Sequence, residues 1–231
     1  VGGIAGACGQ NNSYNEGTII GEKYVGGISG SMSLLEGTST QCINKGEVIG
    51  VENVGGICGT TGGRCHITEA VNEGKVTGEQ YVGGIVGSFG GALSGKARNL
   101  INCKNTAEVT GKAYVGGILG YNSGSSKNPI TGNINEADIT GEDKVAGIVA
   151  YNNNAIVTNN TNSGNISGYT NLGQIVGEQN APYTPDIVTG NISNGTVTIL
   201  ENKDFARIVN GTKVSYNVYT LKGFEAWSEE V

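Results

Sequence analysis

The chain has 231 residues, a net charge of −6 and 41 glycines, so that its glycine content is more than twice the usual ~7%. Proline is scarce and no Gly-x-y triplet repeats, which excludes collagen. The 14 lysines and arginines are spread along the chain, so that there is no clustered basic face for nucleic acid or anionic lipid. No apolar run approaches the ~20 residues of a membrane-spanning helix. We therefore expect neither nucleic-acid binding nor membrane insertion.

The sequence opens on the hexapeptide Val-Gly-Gly-Ile-x-Gly, which then recurs. Copies cover residues 1–6, 25–30, 54–59, 82–87 and 115–120, and two drifted copies cover 145–150 and 172–177. The fourth position is isoleucine in every copy: Ile4, Ile28, Ile57, Ile85, Ile118, Ile148 and Ile175. A second phrase, Asn-x-Gly/Ala-x-Val/Ile-x-Gly, begins ten residues before each later copy, at Asn15, Asn44, Asn72, Asn105, Asn135 and Asn162. This constant spacing predicts a constant backbone path.

The repeat length indicates the fold class. Successive hexapeptides start 24 to 33 residues apart, a period typical of solenoids and shorter than the ~40 residues of a propeller blade. Helical repeats would need a 3.6-residue periodicity, and a Gly-Gly pair in the repeat argues against a helix. We therefore predict an all-β protein, a parallel β-solenoid (β-helix) of about seven coils, in which like residues of consecutive coils lie on one another.

Three inward columns are predicted for such a stack. The first contains the hexapeptide isoleucines and the second its valines, because Gly-Gly permits a bulge or corner that turns both inward. The third contains Ile19, Val48, Val76, Val109, Ile139 and Ile166. The asparagines that begin the second phrase form either a ladder of side-chain amides or simple turns in the left-handed region. Alternation also predicts that Thr40, Cys42 and Asn44, with their equivalents, share an inward face.

The C-terminal part differs from the repeats. Residues 190–200 alternate like a degenerate last coil, and residues 202–211 predict a helix with Asn202 as N-cap and Gly211 past its end. We therefore divide the chain into repeats at 1–180 and a C-terminal coil and cap at 181–231. The helix would cover the open end of the stack, where unpaired strand edges invite aggregation. The alternative is a ligand platform formed by Tyr216, Tyr219, Phe224 and Trp227.

The five cysteines have an odd count and no zinc-ligand spacing. We expect small buried thiols, with a Cys58–Cys65 bridge across one loop as the alternative. No metal or cofactor is expected. Catalysis is not expected either, because the acidic side chains fall in an outward column that exchanges Glu for Lys, which is typical of a solvated face. That column contains Glu47, Lys75, Glu108, Asp138 and Asn165.

Candidate ligand contacts are four tyrosines. All length variation in the repeat falls between the last hexapeptide residue and the next repeat asparagine. Insertions at one position of a repeat project from one side of the stack, which is the default binding face. Tyr121 and Tyr151 begin two of these insertions. Tyr81 and Tyr114 directly precede the hexapeptide and, if outward, stack into a strip suited to sugar rings. The alternatives are loop drift on an inert edge and tyrosines that only shield strand edges.

The phrases Asn72-Glu-Gly-Lys-Val-Thr-Gly78 and Tyr81-Val-Gly-Gly-Ile-Val-Gly87 resemble the GLUG motif of bacterial surface proteins, and the resemblance covers roughly residues 1–180. It implies a secreted or cell-wall-associated bacterial protein with adjoining domains in the same polypeptide. The family includes adhesin-like proteins and regions accompanying immunoglobulin A peptidases, and it carries no assigned catalytic residues. The copies at 145–150 and 172–177 depart from its Gly-Gly pair.

The function expected on this basis is non-catalytic. The chain would be a structural and adhesive module that presents one loop edge to a host protein or glycan. The alternative is a substrate-binding accessory region of a larger extracellular enzyme, a protease or a glycosidase.

Overall fold

The structure is a computed structural model that describes residues 1–32, 36–90, 98–123, 129–180, 187–200, 208–209 and 212–213. The described residues contain 35 short β-strands and no helix. Each repeat forms one coil of five strands, and equivalent strands of successive coils pair in parallel into five sheets. We number the sheets 1 to 5 in the order in which the chain passes through them, starting at the repeat asparagine. The predicted parallel β-solenoid is confirmed.

The strands of each sheet are as follows. Sheet 1 contains Tyr14–Asn15, Ile43–Asn44, Val71–Asn72, Lys104–Asn105, Ile134–Asn135, Thr161–Asn162 and Ile192–Ser193. Sheet 2 contains Ile19–Ile20, Val48–Ile49, Val76–Thr77, Val109–Thr110, Ile139–Thr140, Ile166–Gly168 and Val197–Ile199. Sheet 3 contains Lys23–Gly26, Glu52–Gly55, Gln80–Gly83, Ala113–Gly116, Asp143–Ala146 and Thr170–Gly173. Sheet 4 contains Ala5–Ala7, Ser29–Met32, Cys58–Thr61, Val86–Phe89, Leu119–Asn122, Val149–Asn152 and Val176–Gln179. Sheet 5 contains Glu36–Thr40, Arg64–Thr68, Asn99–Ile101, Pro129–Thr131, Ile156–Thr158 and Val188–Thr189.

The described coils make about six complete turns, because sheets 1, 2 and 4 have seven strands each and sheets 3 and 5 have six. The register places like residues on one another, so that Asn72 lies between Asn44 and Asn105. In the same way Val82 lies between Val54 and Val115. This register is what the constant repeat spacing predicted.

The hexapeptide forms a corner between two sheets. Its first two residues end a strand of sheet 3, its last two begin a strand of sheet 4, and the Gly-Ile pair between them turns. Val82 and Ile85 are both fully buried, as predicted. They belong to different apolar clusters, however: Val82 packs in the cluster that includes Val76 of sheet 2, and Ile85 packs in the cluster that includes Leu100 of sheet 5. The solenoid therefore has two parallel hydrophobic cores.

The predicted amide ladder is present in sheet 1. Asn72 Nδ2 donates to Asn105 Oδ1 at 2.8 Å, and Asn105 Nδ2 donates to Asn135 Oδ1 at 2.8 Å. All three asparagines are fully buried. The ladder packs against the third hexapeptide residue, since a Cβ built on Gly84 would lie 2.5 Å from Asn105 Cγ. This close approach explains why only glycine fits that position in the regular copies.

The amide ladder ends where the hexapeptide departs from its consensus. In register with Asn162, the next coil carries Ser193 instead of asparagine. The third hexapeptide residue of the last copy is Gln174, and its Oε1 accepts the hydrogen bond from Asn162 Nδ2. The longer amide side chain therefore takes the place of the missing asparagine.

One predicted face is wrong. Gln41 and Glu69 lie at a corner between sheets 5 and 1 and have φ angles of 54° and 53°, in the left-handed region. This corner breaks the alternation, so that Cys42 is fully buried while Thr40 and Thr68 are only partly buried. The two threonine hydroxyls instead bond to each other at 2.9 Å. Thr40 therefore does not share the inward face of Cys42 and Asn44.

The C-terminal strands continue the stack to residue 199, because Val197–Ile199 pairs with Ile166–Gly168. The predicted helix over 202–211 lies mostly outside the described residues. Its part at Ile208–Val209 is a strand paired antiparallel with Thr212–Lys213, so the prediction is wrong there. The physical reason is the Asn-Gly sequence between these strands, which favours a two-residue hairpin. Tyr216, Tyr219, Phe224 and Trp227 also lie outside the described residues.

Candidate functional site

The residue before each hexapeptide lies in a strand of sheet 3 with a left-handed conformation. Tyr81 and Tyr114 have φ angles of 56° and 58°, and they lie opposite each other, since Gln80 pairs with Ala113 and Val82 with Val115. Because both strands have a left-handed residue at the same place, each strand changes direction there while the register is kept. The same conformation occurs at Tyr24, Asn53, Lys144 and Asn171. The sequence did not predict it, because none of these residues is glycine.

The residue after each hexapeptide forms an outward column of sheet 4. Ser88, Tyr121, Tyr151 and Glu178 lie in register in four consecutive coils. The expectation that Tyr121 and Tyr151 begin loops is therefore wrong, because both are strand residues. The connections that follow run from sheet 4 to sheet 5. Residues 33–35, 91–97, 124–128 and 181–186 of these connections lie outside the described residues.

The two columns meet because sheets 3 and 4 touch at the last hexapeptide glycine. A Cβ built on Gly120 would lie 2.7 Å from Val82 N and 2.8 Å from Tyr114 O. With no side chain at Gly120, the backbone of sheet 4 lies directly against the left-handed residues of sheet 3. Side chains on either side of the corner are therefore neighbours.

Four tyrosines come together at this corner, and we call Tyr81, Tyr114, Tyr121 and Tyr151 the tyrosine cluster. The Tyr121 ring centroid lies 4.9 Å from that of Tyr81 and 5.7 Å from that of Tyr114. The rings of Tyr121 and Tyr151 are stacked at 5.0 Å with 10° between their planes. Tyr81 and Tyr114 are 5.0 Å apart, and all four residues are partly buried. The structure thus places all four predicted contact residues in one cluster.

Charged side chains border the cluster on one side. Lys144 Nζ lies 5.0 Å from the Tyr114 ring centroid, a cation–π distance, and forms ion pairs with Asp143 at 2.6 Å and Glu178 at 3.3 Å. The hydrogen bond to Asp143 raises the pKa of Lys144. Burial alone would raise the pKa of Asp143, but hydrogen bonds from Lys144, Thr170 and Asn171 lower it overall. Lys144 is therefore held in place beside the cluster.

Three of the four tyrosine hydroxyls in the cluster remain open to a ligand, and that of Tyr151 is bonded to Asn180. Burial raises the pKa of Tyr81 and of Tyr151, so that both are neutral phenols at physiological pH. Within the described part of the chain, the hydroxyls of Tyr81, Tyr114 and Tyr121 form no hydrogen bond. The cluster combines apolar ring surface with unused hydrogen-bond donors and acceptors on a rigid stack, which suits the binding of a ligand.

The other candidate functional side chains, namely the charged column and the potential metal ligands, do not form a second site among the described residues. The column of Glu47, Lys75, Glu108, Asp138 and Asn165 is solvent-exposed along its whole length, as predicted. Across the described ranges no three His, Cys, Asp or Glu side chains converge on a potential metal site. No helix of the described residues is long and apolar enough to cross a membrane. All five cysteines are free thiols, and Cys42, Cys58, Cys65 and Cys103 are buried.

Comparisons with known proteins add a fold relationship. No family model matches the sequence, and no curated protein matches it. A crystal structure from Bacteroides ovatus, described as a "putative immunoglobulin A1 protease", is similar with a TM-score of 0.51 and 19% sequence identity. The match covers 85% of this chain and 66% of that protein's length. At this identity the likeness shows the shared fold, and the class defined here is that of the parallel β-solenoid repeat proteins.

Proposed function

We propose that the chain is a non-catalytic binding module of a bacterial cell-surface or secreted protein and that it contacts its ligand through the tyrosine cluster. The observation that carries this proposal is the convergence of four partly buried tyrosines on two adjacent sheets. The repeat's resemblance to the GLUG motif supports the extracellular location. The rigid stack would also hold adjoining domains of the same polypeptide apart.

The shape of the cluster favours a macromolecular ligand, a host protein or glycan. Its rings span three coils, or roughly 10 Å along the stack at the ~4.8 Å strand spacing. Tyrosine provides a large contact area at low conformational-entropy cost, because it has only two side-chain torsions. The rings are already packed against one another, so binding would order them little further. Free hydroxyls at the ring edges would add hydrogen bonds.

A second candidate is a substrate-binding accessory region of a larger extracellular enzyme. The description of the Bacteroides ovatus neighbour as a "putative immunoglobulin A1 protease" supports it, as does the fact that the match covers 66% of that longer chain. In this case the tyrosine cluster would hold substrate near a catalytic domain. Immunoglobulin A1 is therefore one of the probes to test.

The chain itself offers matched variants for the test. Tyr121→Ser and Tyr151→Ser install the residue that Ser88 already provides in the same column. The control is Tyr24→Asn, which changes a tyrosine that is 47% exposed at a left-handed position where Asn53 shows that asparagine fits. Tyr24 lies outside the cluster, so its loss should leave binding unchanged.

The measurement is binding of the purified chain to a glycan array and to immobilised immunoglobulin A1. We expect the double variant Tyr121→Ser/Tyr151→Ser to weaken binding at least ~10-fold, since buried aromatic anchors carry most interface energy. The control should bind like the wild-type chain. Equal binding by the double variant and the wild-type chain would refute the cluster as the contact surface. Binding of glycans alone favours the adhesive module, and binding of immunoglobulin A1 favours the accessory region.

A further inference from the structure

Two buried thiols lie on either side of one connection between sheets 4 and 5. Cys58 begins the strand Cys58–Thr61, and Cys65 is the second residue of the strand Arg64–Thr68. Only residues 62–63 separate the two strands. Both side chains are fully buried. They lie in the same apolar cluster, away from the outward face that carries the tyrosine cluster.

Both thiols contact the backbone of Met32. Cys65 Sγ donates to Met32 O at 2.7 Å. Cys58 Sγ donates to Thr60 O at 3.1 Å, and the backbone of Met32 is also a hydrogen-bond partner of Cys58. Two sulfur atoms that contact the backbone of one residue are neighbours, and a disulfide bond requires them to approach to ~2 Å.

We propose that Cys58 and Cys65 form a disulfide bond when the chain folds in the presence of a small-molecule disulfide. The Cys65 thiolate attacks one sulfur of the oxidant, forms a mixed disulfide and releases one thiol. The Cys58 thiolate then attacks Cys65 Sγ, which closes the protein disulfide and releases the second thiol. The two cysteine protons pass to the two released thiolates, so the cysteines are oxidised by two electrons and the oxidant is reduced by two.

Burial determines when the bond can form. It raises the pKa of both thiols in the folded chain, and the thiolate is the reactive species. The folded dithiol is therefore slow to react, and exchange takes place while the coil is still open. Once the coil has closed, the same burial shields the disulfide from reductants.

The other two buried thiols provide an internal comparison. Ile43, Val71 and Lys104 are in register in consecutive coils, so the residues before them, Cys42 and Cys103, are separated by the coil that carries Ala70. Two coil spacings of ~4.8 Å place the Cα atoms of Cys42 and Cys103 roughly 10 Å apart, which is beyond the ~7 Å Cα limit for a disulfide. Cys42 and Cys103 should therefore remain thiols under the same conditions.

The experiment uses the full chain refolded in oxidised glutathione, denatured, treated with an alkylating reagent and digested with trypsin. Lysines and arginines place the five cysteines on five different tryptic peptides, so each pairing has a distinct mass. We expect peptides 46–64 and 65–75 to be recovered joined, and the peptides with Cys42 and Cys103 to be alkylated. Refolding in dithiothreitol should yield all five peptides alkylated.

Two outcomes would overturn the proposal: recovery of peptides 46–64 and 65–75 in alkylated form, or linkage of either one to another cysteine peptide. A thermal measurement tests the native fold independently. The oxidised chain should melt on the order of 5 °C above the reduced chain, because the bond closes a short loop. This difference should vanish in Cys58→Ala and persist in the matched control Cys42→Ala. A difference of equal size in both variants would contradict the assignment.

Discussion

Replacing Asn105 by alanine tests whether the amide ladder stabilises the stack. Asn105 is fully buried, and its Nδ2 donates to Ala107 O at 2.9 Å and to Asn135 Oδ1 at 2.8 Å. Its Oδ1 accepts from Asn72 Nδ2 at 2.8 Å. Alanine removes all three bonds. Asn72 Nδ2 keeps its bond to Gly74 O, so the groups left without this donor are Asn135 Oδ1 and Ala107 O.

The expected cost follows from these two acceptors. A buried polar group that loses its partner costs about 1–3 kcal/mol. Asn135 Oδ1 is buried, whereas the bond to Ala107 O is partly buried, so the two together give a loss of about 3 kcal/mol in the free energy of unfolding. For a chain of this size each kcal/mol lowers Tm by about 2–4 °C. We therefore expect Asn105→Ala to melt roughly 10 °C below the wild-type chain.

The assay is urea unfolding followed by circular dichroism, together with a thermal scan. The control is Glu47→Asn, because Glu47 is exposed and shares its outward column with Asn165. Exposed substitutions of this kind change stability by no more than about 0.5 kcal/mol. If Asn105→Ala lost no more stability than the control, the amide ladder would not contribute to the fold and the reasoning would be refuted.

Three further predictions use the same repeat logic. Gly84→Ala should cost about 3 kcal/mol in unfolding free energy through overpacking, because the added Cβ would press on the neighbouring coil. The control Gly6→Ala should cost less than ~0.5 kcal/mol, because a Cβ at Gly6 meets nothing within 4 Å. Equal urea midpoints for the two variants would contradict this prediction. Lys75→Ala should change the urea midpoint little, since the ion pair of Lys75 with Glu108 is exposed and such pairs contribute ~0.2–1 kcal/mol. A loss of unfolding free energy well above this range would contradict the prediction. Burial raises the pKa of Tyr81 and Tyr151, so the stability they contribute is present below the ordinary tyrosine pKa of ~10 and is lost as pH rises through the folded values. A tyrosinate absorbance titration should show components above pH ~10 that disappear on unfolding, and uniform titration at the ordinary value would contradict the prediction.

The repeat pattern was sufficient to predict the core columns. Ile57, Ile85 and Ile118 are fully buried and joined from coil to coil by backbone hydrogen bonds of 3.0 and 3.1 Å. The amide ladder was one of two alternatives for the repeat asparagines, and the structure shows it. Both features depend only on which residues of consecutive coils lie on one another. In an in-register stack, the spacing of residues along the chain determines this.

The corners were not predictable in the same way. Left-handed conformations at Gln41, Glu69 and Tyr81 carry no glycine signal, so alternation was extended through the first corner and Thr40 was placed on the wrong face. Tyr121 was assigned to a loop because the insertion was counted from the last hexapeptide glycine. The strand in fact continues through it, since its register with Ser88 is retained.

The sequence by itself determined that this protein is a stack of parallel coils and which residues form each column. The reason is that every coil follows the same backbone path and lies on its neighbour in register, so equal spacing is enough to define a column. Only the tertiary structure decided which columns of different sheets become neighbours. The angle at each corner depends on backbone torsions and on the close approach of sheets at residues such as Gly120. That is why the tyrosines on either side of the hexapeptide form one cluster, although the sequence assigned them to two separate faces.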